Sequence, residues 1–174
     1  MDLRYPIGKY HHEGPVSDDQ LAAWLEAIEN APSLYRAAVA GLSDDQLSTP
    51  YRPGGWTVRQ LIHHVGDSHL NSYVRYKWAL SEEEPRIKAY HQDGWSQHPA
   101  PGTLDTAADL DFLEILHGRW ITLLRSISPE AWKRGLLHPE TGNRMQLDWM
   151  AGMYAWHGEH HLAHITGLRE REGW

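Results

Sequence analysis

The sequence predicts an all-α protein, an antiparallel four-helix bundle in a single domain over residues 1–174. Four long segments carry apolar residues at steps of three and four, which is the spacing of an amphipathic helix. Ser or Thr followed three positions later by Gln precedes several of these segments, as in a capping box. Convincing runs of alternating apolar and polar residues are missing. Together these observations favour helices packed on helices.

The first helix is expected to follow an irregular lead-in over residues 1–16, which is rich in Pro and Gly. Ser17 and Gln20 form a capping box at its start. Pro32 is expected to kink or break the helix, because proline lacks an N–H and clashes with the preceding turn. The continuation is expected to stop near Gly41. The apolar side of the first part is formed by Leu21, Trp24, Leu25 and Ile28.

The second long helix is predicted over residues 57–80, after a short capped turn at residues 43–46 and a loop. Thr57 and Gln60 form its capping box, and the acidic run SEEEP ends it. His64 lies at the edge of the apolar stripe. That stripe consists of Val58, Leu61, Ile62, Val65 and Tyr76.

Residues 85–105 are predicted to form a long loop, because they contain three Pro and two Gly among several aromatic and histidine residues. A loop of this length inside a compact domain is often a lid or a binding loop. A surface excursion or a subunit contact is an equally supported interpretation.

The third helix is predicted to begin at Thr106, and the fourth to begin near Asp148 and to run into the C-terminal residues. Residues 135–145 between them are expected to form a turn or a short hairpin. The third helix has a continuous apolar stripe at steps of three and four. Its members are Leu110, Leu113, Leu116, Trp120, Leu123 and Ile127.

Seven of the 13 histidines fall in the second and fourth predicted helices. They are His63, His64 and His69 in the second helix, and His157, His160, His161 and His164 in the fourth. Side chains four positions apart on a helix share a face. We therefore expect the two helices to face each other and to hold one metal ion.

The apolar phase of the fourth helix favours His157 and His161 as the ligand pair. These two histidines continue an inward stripe of Met150, Tyr154, Ile165 and Leu168. His160 and His164 fall on the neighbouring face with Trp156 and remain the alternative pair. Histidine spacing alone supports a metal site and a structural role equally.

Imidazole suits zinc, nickel and iron, so the sequence does not select the ion. Three neutral histidines would leave an open position for water, which is typical of catalytic sites. The motifs HExxH and GxSxG are absent, because Gly158 follows His157 and no nucleophile elbow is present. The expectation is therefore a metal site that does not use the metalloprotease motif.

Three further residues are candidates near this site. Asp67 lies one turn after His64, where it could orient an imidazole or a bound water, or could be a solvated helix charge. Glu159 is expected to point away from the metal and to be a poor general base. His117 in the third helix is expected to be a hydrogen-bonded core histidine rather than a ligand.

The composition excludes several classes of function. The net charge is -7 and the 16 Lys and Arg are scattered, which argues against a nucleic-acid partner. Cysteine is absent, so the protein has neither disulfides nor a cysteine nucleophile. No segment approaches the roughly 18 apolar residues of a membrane span, and no signal peptide is seen. A cytoplasmic protein without a membrane partner is the expectation.

The pairing of GGWTVRQLIHHVGDSH with YAWHGEHHLAHI resembles the DinB superfamily of metal-binding four-helix proteins, most closely its YfiT-like branch. The likeness extends to YPIG, SDDQLSTPYRPGGW and HGRWITLL, and so spans nearly the whole chain. The family pattern implies His64 as one metal ligand, followed by the acidic Asp67, and His157 with His161 as the other two ligands.

The resemblance implies either a metal-dependent hydrolase of small molecules or a thiol S-transferase. The second class adds a low-molecular-weight thiol of the bacillithiol or mycothiol type to small electrophiles. One divalent metal per chain, zinc or nickel, and a homodimer are expected. A small-molecule or metal-binding protein without turnover, or a bundle with structural histidines, is the competing interpretation.

Overall fold

The computed structural model describes residues 2–140 and 142–174 and consists mainly of helices. The four long helices predicted from the sequence are confirmed. The helices are α1 (Asp18–Val39), α2 (Asp44–Leu47), α3 (Val58–Ser81), α4 (Gln92–Trp95), α5 (Thr106–Arg125) and α6 (Leu147–Glu172). The predicted hairpin is also found, with β1 (Gly135–Leu137) antiparallel to β2 (Arg144–Gln146). Thr141, within the segment predicted as a hairpin, lies outside the described residues.

The long helices form a bundle in which α1 and α3 occupy opposite corners. Both α1 and α3 pack against α5 and α6. Tyr76 near the end of α3 donates a hydrogen bond to the carbonyl of Leu147 at the start of α6, so α3 and α6 are antiparallel. His69 contacts His117 in the middle of α5, and the preceding turns of the two helices also meet, so α3 and α5 run in the same direction.

The helix α1 has one antiparallel and one parallel neighbour. Arg36 pairs with Asp111, whereas Glu29 pairs with Arg125, so α1 and α5 are antiparallel. Tyr35 donates to the carbonyl of Gly158, while earlier residues of α1 meet earlier residues of α6, so these two helices are parallel. Because α3 and α5 are parallel, residues 82–105 return along the bundle before α5 begins.

Side-chain capping defines where the helices begin. In each of three predicted capping boxes the Ser or Thr side chain accepts from the N–H of the Gln three positions later, and the Gln side chain bonds back to the cap N–H. The pairs are Ser17 with Gln20, Ser43 with Gln46, and Thr57 with Gln60. The local sequence therefore sets these three helix starts.

Pro32 was expected to kink or break α1, and the break is wrong. The helix continues from Asp18 to Val39 with Pro32 inside it. A proline removes the hydrogen bond to the carbonyl four positions earlier. That carbonyl belongs to Ile28, and it lies 2.6 Å from Nδ1 of His117 on α5. A side chain from another helix thus replaces the lost bond, and buried neighbours such as Tyr35 hold the helix in place.

A layer of histidines separates two apolar parts of the core. One part surrounds Trp120, Tyr76 and Met150, and the other surrounds Leu61 and Leu113. Along their helices, His69 of α3, His117 of α5 and the four histidines of α6 lie between these groups. In the described residues, every helix is too short or too polar to cross a membrane.

Candidate metal centre

Three predicted ligands meet where α3 faces α6. The ring centroid of His64 lies 5.3 Å from that of His157 and 4.9 Å from that of His161. The rings of His157 and His161 are 4.6 Å apart. Each residue offers one ring nitrogen, and these atoms lie within 4.8 Å of one another. Tetrahedral ligands at about 2.1 Å from zinc are about 3.4 Å apart, so small side-chain rotations would close the site.

Burial keeps these imidazoles neutral, as metal binding requires. His64 is 3% exposed and His161 is 8% exposed. Burial, reinforced by neighbouring histidines, lowers the pKa of His64 to about 4. The same cause holds the pKa of His157 and His161 well below the usual value for histidine. At neutral pH all three side chains can offer a lone pair.

One ring nitrogen of His161, Nδ1, is buried without a hydrogen-bond partner in the described residues. The same holds for Nδ1 of His160. A buried polar atom left unpaired costs free energy. The residues present therefore fit a bound divalent ion, which would take up a free lone pair on one of these histidines of α6.

The alternative pair, His160 and His164, forms a second cluster that shares His161. Ring nitrogens of these three residues also lie within 4.8 Å of one another. His160 stacks on Trp156 with centroids 4.7 Å apart, and His164 stacks on Tyr51 at 4.0 Å. All three residues of this cluster come from α6, whereas His64 ties the first cluster to α3. The sequence expectation that His160 and His164 lie on a neighbouring face agrees with this placement, although both are buried.

His157 is held from behind by a second histidine. Its Nδ1 lies 3.1 Å from Nε2 of His69, which is fully buried. On its other side, Nδ1 of His69 lies 2.8 Å from Nε2 of His117. His117 is the hydrogen-bonded core histidine that the sequence predicted. No separate role could be predicted for His69, because its position on α3 does not show which helix it faces.

Asp67 lies on the side of α3 that faces α5. Its Oδ2 is 3.6 Å from Nε2 of His63, whose Nδ1 is 2.9 Å from Oδ1 of Asp109. Burial raises the pKa of Asp67, while His63 acts in the opposite direction. The role of Asp67 towards His64 stays a prediction. Glu159 is exposed, as expected from its position on α6.

A cavity of about 470 Å³ opens over both histidine clusters. Its aromatic lining comes from the lead-in, the loop before α3, and α6, and consists of Tyr5, Tyr51, Trp56 and Trp156. Trp56 packs on His64 with ring centroids 4.6 Å apart. The volume lies in the range of small-molecule sites, and the lining combines aromatic surface with a few polar groups.

The charged residues of this cavity were missed by the sequence analysis. They are Arg4 in the lead-in, Arg52 before α3, and Asp93 in α4. Gln60 anchors the α4 segment, because its side chain donates to the carbonyl of Ser96 at 3.1 Å. Since Asp93 lines the cavity, the structure favours the binding-loop interpretation of residues 85–105. These residues come from separate segments, so no spacing pattern could have grouped them.

Comparison with known proteins finds a family model and full-length relatives that this chain resembles. The sequence model of the DinB superfamily matches residues 27–165 of this chain. YfiT of Bacillus subtilis, provisionally named a metal-dependent hydrolase, is 45% identical over 174 residues, covering 100% of this chain and 98% of the relative. A Bacillus cereus protein with the same provisional assignment is 47% identical over 173 residues, covering 99% of each chain.

Solved structures agree with these sequence matches. The structure of Bacillus subtilis YfiT, described as having an unusual four-helix bundle topology, superposes with a TM-score of 0.97 at 45% identity and covers 100% of this chain and 99% of the other. A mycothiol-dependent maleylpyruvate isomerase superposes with a TM-score of 0.61 at 21% identity, over 80% of this chain and 60% of the other. The second likeness concerns the fold alone.

Proposed function

Because the chain belongs to the DinB superfamily, we propose that it is a metal-dependent hydrolase whose divalent ion is held by His64, His157 and His161. The observation that carries this proposal is the meeting of three neutral imidazoles from two helices beneath an open cavity, with His64 and His161 buried and His157 partly buried. The provisional names of the relatives point to the same reaction class. The proposed ion is zinc or nickel, both of which accept imidazole ligands.

A bound ion of this kind acts as a Lewis acid and lowers the pKa of a water or thiol that it contacts. The three histidines would fix its position, while the aromatic walls would exclude bulk water and receive the apolar part of a small substrate. Three protein ligands leave room for a further group at the ion. The proposed substrate is therefore a small molecule with a hydrolysable bond.

We assign the task of proton acceptor to Asp93. It is the acidic side chain among the residues that line the cavity, and it lies on the short helix α4. A carboxylate is a suitable general base when it reaches the attacking group directly or through one water. Asp93 and Glu159 are both exposed, but Glu159, the alternative carboxylate near the histidines in sequence, lies outside the cavity lining.

A metal-dependent thiol S-transferase is the second candidate function. The cavity volume of about 470 Å³ favours it, because this space can hold a cosubstrate beside a small electrophile. Cysteine is absent from the chain, so the sulfur would come from a low-molecular-weight thiol of the bacillithiol type. That the protein is a homodimer stays a prediction. Light scattering on the purified protein tests it by measuring the molecular mass in solution.

The first experiment is elemental analysis of protein purified without a histidine tag, followed by a screen of ester, amide and lactone substrates with and without added thiols. We expect about one metal per chain, reduced in His64→Ala and His157→Ala and retained in His160→Ala. Turnover without thiol identifies the hydrolase, and thiol-dependent turnover identifies the transferase.

Two results would contradict the proposal. Full metal content in His64→Ala with loss in His160→Ala would move the site to the second cluster. Stoichiometric ligand binding without product in the metal-loaded protein would identify a binding protein instead of an enzyme.

A further inference from the structure

A line of hydrogen bonds behind His157 crosses all four long helices. It begins at Nδ1 of His157 on α6, which lies 3.1 Å from Nε2 of His69 on α3. Nδ1 of His69 lies 2.8 Å from Nε2 of His117 on α5. Nδ1 of His117 lies 2.6 Å from the carbonyl oxygen of Ile28 on α1. We call this line the histidine ladder, with His157, His69, His117 and the Ile28 carbonyl as its members.

Pro32 leaves the carbonyl of Ile28, the last member of the ladder, free to accept a hydrogen bond from outside α1. In an α-helix the carbonyl of Ile28 would accept from the N–H of residue 32. Residue 32 is a proline and has no N–H to give. Buried carbonyl groups are nearly always paired, and here the partner is Nδ1 of His117. Pro32 therefore frees the carbonyl of Ile28, and His117 on α5 supplies the hydrogen bond that the helix lacks there.

The carbonyl sets the direction of every bond in the ladder. A carbonyl oxygen only accepts, so Nδ1 of His117 carries a hydrogen and donates. A neutral imidazole has one N–H, so Nε2 of His117 must accept from Nδ1 of His69. By the same rule Nε2 of His69 must accept from Nδ1 of His157. His69 and His117 are 0% and 2% exposed, and such burial disfavours the charged form of either ring.

We propose that the histidine ladder fixes His157 as the Nδ1–H tautomer and so presents the lone pair of Nε2 to the metal. This inference rests on the proposed role of His157 as a ligand. His69 and His117 are then positioning residues, which act on the metal through His157. Metal-ligating histidines generally donate their other N–H to an acceptor that fixes the ring, and here that acceptor is another histidine, oriented in turn from α5 and α1.

The ladder should strengthen metal binding without adding a ligand. A neutral His157 free of this constraint could carry its hydrogen on Nε2, where it would block the ion. Removing the hydrogen-bond partner of a metal-ligating histidine costs about 10- to 100-fold in metal affinity. Because the ladder ends on the main chain of α1, this effect should be sensitive to residues that never touch the cavity.

The first test uses the metal-free wild-type protein and needs no variant. Long-range ¹H–¹⁵N correlation spectra at neutral pH distinguish the two neutral tautomers of each histidine. We expect His157, His69 and His117 all to be protonated at Nδ1. Finding the hydrogen of His157 on Nε2 would overturn the inference. This spectrum shows whether the ladder sets the tautomer of His157 even if the protein binds no metal. The absence of metal binding would instead overturn the proposed function.

The second test is zinc affinity in two substitutions of His117. Phe removes both hydrogen bonds, and His117 acts on His157 only through His69, so His117→Phe should weaken zinc binding about 10-fold, the lower end of the range for a direct partner. The amide of Gln can donate to Ile28 and accept from His69, so His117→Gln should restore part of the affinity. His11→Phe, an exposed histidine in the lead-in, is the matched control and should bind zinc like the wild type. Equal zinc affinity in His117→Phe and wild type would overturn the ladder.

The third test changes the proline instead of a histidine. Pro32→Ala supplies an N–H that competes with His117 for the carbonyl of Ile28, while alanine favours the helix. We expect a folded protein with mixed His157 tautomers and weaker zinc binding than the wild type. A tautomer population identical to the wild type would overturn the part assigned to Pro32.

Discussion

The imidazole rings of His64 and His161 lie 4.9 Å apart in an edge-to-face arrangement, although one belongs to α3 and the other to α6. Their meeting depends on the antiparallel packing of these two helices, which Tyr76 also fixes through the carbonyl of Leu147. A ligand that bridges both helices should therefore stabilise the fold as well as the site.

Zinc should raise the thermal stability of the protein through this bridge. At free zinc 100-fold above the dissociation constant, the free energy of unfolding should rise by about 2.7 kcal/mol. Thermal melts of chelator-treated protein with and without zinc measure this effect. We expect the shift to disappear in His64→Ala and to persist in His160→Ala. A zinc-induced shift of wild-type size in His64→Ala would mean that the ion does not join α3 to α6.

Removing the charge of Asp93 should slow turnover while leaving metal binding intact. General-base catalysis typically contributes about 100- to 10,000-fold, so Asp93→Asn should lower kcat by a factor in that range. Elemental analysis should show wild-type metal content in this variant. Glu159→Gln is the matched control, since Glu159 is exposed and outside the cavity lining, and its kcat should match the wild type. Wild-type kcat in Asp93→Asn would remove Asp93 from the reaction.

The metal-free protein should lose stability as the pH falls from about 6.5 towards 4. Burial lowers the pKa of His64 and of His117 from the usual histidine value of 6.5 to about 4. Between these values the unfolded chain binds protons that the folded chain does not, so the free energy of unfolding falls with decreasing pH. Each such histidine contributes about 1.4 kcal/mol for each pH unit.

Urea unfolding of the metal-free protein at pH 7.5 and pH 5 measures this dependence. His117→Gln removes one of these buried histidines and should show a shallower decline. Equal stability of the wild type at the two pH values would contradict the neutral, buried state assigned to these histidines.

Substitution of alanine for two glycines in the long helices should change the free energy of unfolding in opposite directions. A Cβ at Gly152 on α6 would lie 2.7 Å from Cζ2 of Trp24 and would also meet the hydroxyl of Tyr10. Gly152→Ala should therefore lower stability by roughly 1–3 kcal/mol through overpacking. A Cβ at Gly118 on α5 would meet nothing within 4 Å, so Gly118→Ala should raise stability by up to about 1 kcal/mol.

Urea unfolding of the two glycine variants beside the wild type separates these effects. The same destabilisation in both would indicate that helix propensity and local space do not govern these positions. A neutral Gly152→Ala would show that Tyr10 in the lead-in and Trp24 in α1 can both move away from α6 at little cost.

The sequence determined the local features of this protein. The capping pairs at Ser17, Ser43 and Thr57 define helix starts because each bond joins residues three positions apart. The periodic apolar residues predicted four long helices, and the spacing of His157 and His161 placed both rings on one face of α6. Such properties depend on neighbours along the chain, so they can be read without knowing the packing.

The tertiary structure decided which side chains meet across helices. It placed Asp67 beside His63, brought Asp93 into the cavity from a separate segment, and buried His160 and His164 together with His161 of the favoured pair. Pro32 was expected to kink or break α1, yet the helix is unbroken because His117 from α5 takes the carbonyl that proline leaves unpaired. A hydrogen bond between helices depends on their relative position and direction, and no periodicity within one helix contains that information.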